Sequence, residues 1–243
     1  MKVGIFLFSF FATFSTVNAQ DVVIVYEQSA NIENQLKNIK DKATRARVAK
    51  HLSNPSYFSL LCKKGASIYK PMASDALEGD GLSLGLGSNS KEKVIAIGKG
   101  AGGIYKNQTT KEYLSEENLL GKSFLVRDTL PVFNWVITQE TKKIGTLDCV
   151  KATTNYQGEK IVAWFTREIP IFDGPRIFYG LPGLIIELHT PNLNFAMISI
   201  KELKNDDVKI EKPRHGKDVN IQEYKKIKEE RINALKQGQL FGN

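Results

Sequence analysis

The sequence predicts a mainly β protein of α+β type. The expected architecture is a curved antiparallel sheet, shaped as an open half-barrel, with one helix near its N-terminal region and one at the C-terminus. Three observations carry this. Short β-branched and aromatic segments recur from residue 22 to residue 203. Turn residues separate them at intervals too short for parallel crossovers, which need a dozen residues or more. A helical period of apolar residues occurs near both ends of that region.

In chain order, “MKVGIFLFSFFATFSTVNAQ” joins a basic residue, a mostly apolar run over 3–14 and the small-x-small triplet Val17-Asn18-Ala19. That pattern is a secretory signal peptide over 1–19, too short for a membrane span. Gln20 stands where a lipoprotein would carry Cys, so an exported, non-acylated protein of 20–243 is expected, in the periplasm or outside the cell, with no transmembrane segment after the cut. “VVIVYE” is a strand, and Ile32, Leu36, Ile39, Ala43 and Ala46 predict one amphipathic helix over 31–50. “SYFSLLC” and “SIYKP” are strands. Residues 73–92 are rich in Gly and Ser and predict a mobile loop inside one domain, because strands resume with “VIAIG”. “GIYKN” is expected to pair with that strand. “SFLVRD”, “VFNWVIT”, “LDCVKATT”, “KIVAWFT”, “GLIIELHT” and “FAMISIKEL” follow as further strands. Residues 219–237 return to a helical period through Ile221, Tyr224, Ile232 and Leu235.

The formal net charge is +8, and without Lys2 it is +7, from 33 basic and 26 acidic residues. Basic and acidic side chains are interspersed, so a solvated basic surface is expected rather than a nucleic-acid site. Export permits one disulfide, Cys62 to Cys149; two buried free thiols are the alternative, because the sequence does not bring the two Cα atoms within bridging distance.

No catalytic, metal or cofactor constellation emerges. “GLSLG” places Ser83 in a G-x-S-x-G match, but no strand leads into it and no helix follows. “GKGAGG” matches a dinucleotide fingerprint, yet strand-like “IYKNQTT” stands where the phosphate-binding helix is required. Histidines occur only at 51, 189 and 215, without zinc-helix spacing. Glu187 and His189 share a strand face and are the two weak polar candidates, as an acid–base or ligand pair; a solvent-facing polar pair is the plainer account. Asp148 and Asp173 fall near turns, where turn chemistry explains them, and Trp135 and Trp164 suit core positions. Asn107-Gln108-Thr109 is a formal glycosylation sequon.

One stretch carries more. “GLPGLI” (180–185: Gly180, Leu181, Pro182, Gly183, Leu184, Ile185) resembles the signature of the GLPGLI family of exported Bacteroidetes proteins. “WVITQETKKIGTLDCVKAT” from Trp135, and “AWFTREIPIFDGP” with Trp164, Pro170, Gly174 and Pro175, are similar to that family's other blocks; “GGIYKN” and “GKSFLVRD” fit upstream. Thr146-Leu147-Asp148 departs from the Gly-aromatic expected before Cys149. The resemblance implies an exported β-rich protein and supplies no catalytic residues. Its architecture looks like the curved-sheet carriers related to periplasmic lipoprotein chaperones. The motif itself reads as a bent entry into a central strand, since Pro182 fixes its own φ and pushes Leu181 to an extended backbone. The expected function is a non-catalytic cell-envelope binding or carrier protein, with an apolar ligand or an envelope protein as partner. The alternatives are an accessory of a TonB-dependent uptake system and an envelope enzyme using Glu187 or His189.

Overall fold

The computed structural model describes residues 21–72, 102–203 and 209–236. The signal peptide, the loop over 73–92, “VIAIG” and Ser83 lie outside these residues. Among the described residues the protein is mainly β, with a large open curved sheet and three helices. No described helix is long and apolar enough to cross a membrane.

The first six strands are β1 (Val22–Ala30), β2 (Ser56–Lys63), β3 (Ala66–Pro71), β4 (Ile104–Asn107), β5 (Glu112–Leu119) and β6 (Lys122–Thr129). They form an antiparallel meander. A second meander contains β7 (Val136–Ile144), β8 (Leu147–Tyr156), β9 (Glu159–Thr166), β10 (Leu184–His189) and β11 (Leu193–Glu202). Its last strand, β11, pairs with the free side of β1. Short β12 (Lys217–Val219) adds to β6 in parallel, giving the order β12-β6-β5-β4-β3-β2-β1-β11-β10-β9-β8-β7. Two-residue turns with positive φ at both positions, such as Lys64-Gly65 and Gln157-Gly158, match the twist of the strands they join.

The curvature follows from connectivity. β6 and β7 are ten strand spacings apart, which in a flat sheet is about 48 Å. Yet residues 130–135 alone join them, and that stretch can span at most about 25 Å. The sheet must curl until its two edges come within reach of this linker.

Apolar alternation supplies the packing. Across the first meander, Ile24, Leu60, Tyr69, Ile104, Ser115 and Val126 are successive ladder partners, all buried. The neighbouring row Val23, Leu61, Ile68, Tyr105 and Leu114 is buried as well, so these strands are covered on both faces. β5 escaped the sequence expectation because “EYLSEENL” is acidic; only Tyr113, Leu114 and Ser115 are buried. Its Glu116 carboxylate accepts from the backbone N–H of Arg214, His215 and Gly102 at 2.9, 3.1 and 3.4 Å, fastening the chain before β12. Burial pushes that carboxyl up, but these backbone donors outweigh it and leave Glu116 below the usual carboxylate range.

Two expectations are corrected. The single helix over 31–50 is two helices, α1 (Ile32–Leu36) and α2 (Lys42–Leu52). Asp41 breaks the run by capping α2, accepting from Thr44 N at 2.6 Å, and Arg45 takes up the carbonyls of Leu36 and Ile39 left at the break. Only Leu36 is buried in either helix. The second concerns the possible disulfide: of the two alternatives left open, Cys62 on β2 and Cys149 on β8 take that of free buried thiols, their strands separated by β1, β11, β10 and β9. The C-terminal helix, α3 (Ile221–Lys236), forms as expected. Asn220 accepts from the N–H groups of Gln222 and Glu223, and Glu223 returns the bond to Asn220 N, a complete capping box.

Candidate functional site

Motif residues 180–183 close the segment 167–183 between β9 and β10, and Leu184 and Ile185 open β10; the segment reaches across from β9 to β4. Three joints hold it. At the first, Lys106 on β4 makes an ion pair with Asp173, and its Nζ also donates to the carbonyls of Gly174 at 2.9 Å and Phe178 at 3.4 Å. Lys106 is fully buried. Its three ammonium hydrogens therefore meet three acceptors, the condition under which a charge is tolerated in an apolar interior. The Asp173 carboxylate also accepts from Gly174 N at 2.7 Å. At the second joint, Tyr26 on β1 donates to Ile185 O at 2.6 Å. At the third, Tyr179 donates to Pro131 O at 2.9 Å, and Trp135 Nε1 donates to Tyr179 O at 2.9 Å. Phe133, from the same linker, packs against Trp135, Tyr156, Phe178 and Tyr179.

The two motif glycines differ. A Cβ on Gly180 would meet open space, although its φ is +88°. A Cβ on Gly183, where φ is +149°, would lie 1.9 Å from Thr166 O. Gly183 thus lets the chain press against the end of β9, and β10 starts from that contact. Leu184 and Ile186 enter the core cluster that holds Tyr26 and Leu60. Ile185 and Leu188 enter a second cluster with Phe165, Leu181 and Phe195. The motif strand is therefore covered on both sides, Pro182 is exposed, and Gly174 and Pro175 are buried. Pro170 is exposed, and Trp135 and Trp164 are half-buried.

Sequence reasoning missed Lys106 entirely and assigned Asp173 to turn chemistry. Their contact spans 67 residues of chain, and no local pattern announces it.

Glu187 and His189 do come together, at a half-exposed place on the second meander. His189 Nε2 lies 3.4 Å from Glu187 Oε2, and Nδ1 lies 3.0 Å from Asn194 Oδ1. Lys142 on β7 pairs with the same Glu187 oxygen at 2.5 Å and sits 4.5 Å above the Trp164 ring. Lys151 is bound to both carboxylate oxygens of Glu140, at 3.0 and 2.8 Å. Each charge here is matched by a neighbour, which is the arrangement of a surface ladder. Among the described residues no group of three His, Cys, Asp or Glu side chains could hold a metal ion. The thiols are equally unsuited to attack. Burial, then the charge of Asp173, raises the Cys62 thiol, and burial, then Glu187, raises Cys149 to about 11.

Two surface hollows among the described residues bear on function. One, of about 540 Å³, is lined mainly by polar groups of β8 and β9, among them Thr153, Asn155 and Lys160. The other, of about 480 Å³, lies between α3 and β6. Phe124, Ile227 and Ala234 floor it, while Lys122, Lys217 and Arg231 surround it with a single acid, Glu230. Among the described residues none of these three cations has an ion-pair partner. The sequence announced α3, but not that it would leave a cationic cleft against β6, because β6 and β12 come together only in the folded sheet.

Comparison with known proteins agrees with the fold and leaves the chemistry open. A family described as “Protein of unknown function (Porph_ging)” matches residues 154–187, which run from β8 through the pinned segment into β10. No curated protein matches the chain. Two solved structures of PNGF-II, in space groups C2 and P21, are similar in fold with TM-scores of 0.51 and identities of 15% and 16%. Each comparison covers 86% of this chain and only 32% or 33% of the PNGF-II chain, so the chain is similar to about a third of that protein's length.

Proposed function

We propose that this is an exported, non-catalytic binding or carrier protein of the GLPGLI type, whose ligand site is the groove between α3 and β6. In this reading the curved sheet is an open half-barrel closed on its inside by the protein's own segment 167–183, so a ligand is taken at the rim rather than within. The observation that carries it is the meeting of an apolar floor (Phe124, Ile227, Ala234) with three cations that have no ion-pair partner among the described residues. The groove's volume falls in the range of small-molecule sites. That chemistry suits an amphiphile with an apolar body and an anionic end, the floor taking the body and Lys122, Lys217 and Arg231 the charge.

The test is titration of the purified protein with a fluorescent fatty acid and with the matching uncharged alcohol. The acid should bind and the alcohol bind at least tenfold more weakly; Arg231→Glu, a change at the half-buried rim, should remove the difference. Equal affinity for acid and alcohol, or an acid affinity untouched in Arg231→Glu and Lys217→Glu, rejects the site. A second reading, an accessory of an outer-membrane uptake system, uses the same element, because the far side of α3 presents exposed Lys226 and Lys228. Removing residues 219–243 should then abolish co-purification with envelope partners, while rim charge reversals in the groove leave it intact.

A further inference from the structure

We infer that Lys106 and Asp173 form a site for an intramolecular isopeptide cross-link, joining β4 covalently to the motif segment. The two groups are in contact, fully sequestered from water, and belong to parts of the chain 67 residues apart. Proximity of this kind replaces a bimolecular condensation by a unimolecular one with a large effective concentration, and exclusion of water removes the competing hydration of both groups.

The step balances without any co-reactant. A proton moves from the Lys106 ammonium to the Asp173 carboxylate along the hydrogen bond that already joins them, leaving an amine and a carboxylic acid. The amine lone pair attacks Asp173 Cγ, forming the Nζ–Cγ bond. The Cγ–OH bond breaks, the hydroxyl leaves with a proton from Nζ, and the products are a secondary amide and one water.

The surroundings suit the product. A secondary amide offers one N–H and one C=O. Gly174 O, 2.9 Å from Nζ, is in place to accept the N–H, the carbonyl is Asp173 Oδ2, and Gly174 N, 2.7 Å from Asp173 Oδ1, faces the oxygen that takes up the proton and departs as water. Burial, followed by the charge of Asp173, keeps the neighbouring Cys62 thiol protonated and so a poor competitor for the acid. Such a bond would hold β4 and the motif segment together even in the unfolded chain, constraining it as a long-loop disulfide does.

Mass spectrometry of the denatured full chain decides the matter. The wild type should be lighter than its sequence by the mass of one water, and trypsin should fail to cut after Lys106, yielding one branched peptide that contains both residues. Lys106→Arg and Asp173→Ala should each restore the full sequence mass. A wild-type chain of full mass, cleaved normally after Lys106, overturns the proposal and leaves a non-covalent ion pair. That outcome needs no folded variant to be read.

Discussion

Two lysine–carboxylate pairs brace the segment that leads into β10, and they share chemistry but not surroundings. Lys106 and Asp173 have side-chain exposures of 0% and 4%; Lys142 and Glu187 have 37% and 21%. The first ties β4 to the segment between β9 and β10 and is buried in the core. The second joins β7 to β10 on a partly exposed stretch beside Trp164, with water at hand. A buried pair is costly to make and more costly to break, because removing one member strands a charge in an apolar medium. A surface pair is interchangeable with hydration and is worth little. The interior joint should therefore dominate stability, and the half-exposed ladder should be nearly silent.

The sharpest way to break that contrast is to block the approach that brings the interior joint together. Gly183→Val places side-chain atoms where Thr166 O already lies, on backbone with φ of +149°. It should yield no soluble folded protein, or a loss above about 5 kcal/mol. Gly180→Ala, at positive φ but in open space, should cost only about 1–2 kcal/mol in denaturant unfolding. Equal tolerance of the two changes would mean that the motif is not a packing hinge.

Next in size is Lys106→Met. With Asp173 left buried and unpaired, the midpoint of unfolding should fall by the equivalent of about 3–5 kcal/mol. If the joint is an ion pair alone, the double change Lys106→Met with Asp173→Leu should recover much of it, since replacing both partners by apolar groups removes the stranded charge. A double variant no better than the single one would show that the joint does more than satisfy charge, as a covalent link would.

These two joints also mark where sequence was legible. Alternation and turn residues announced most strands, and the glycine–proline spacing announced a bend into a central strand, because each of those signals is local. β5 was hidden because its acids mask the buried triplet of Tyr113, Leu114 and Ser115, and Glu116 acts on backbone almost a hundred residues away. Asp41 divided the first helix because capping geometry outweighed the apolar period. The Lys106–Asp173 joint and the α3–β6 groove arise from strand order, which no window of sequence contains. The Glu187–His189 pair was foreseen as a shared face, but its closest charged partner, Lys142, comes from the edge strand β7.

The smallest effect belongs to that half-exposed ladder. Lys142→Met removes an ion pair at 2.5 Å and a cation set 4.5 Å from the Trp164 ring. Glu187 keeps His189 at 3.4 Å and stays open to water, so nothing is left stranded. The methionine stem retains contact with the indole, which offsets part of the lost cation–π attraction. Thermal and urea unfolding should register a loss below about 1 kcal/mol. It should shrink further as salt rises, since screening acts on the half-exposed wild-type pair and not on the variant. A loss matching that of Lys106→Met, and insensitive to salt, would place the β7–β10 ladder within the same load path as the core joint. The free edge of the sheet would then be a structural partner of the motif segment rather than a hydrated margin.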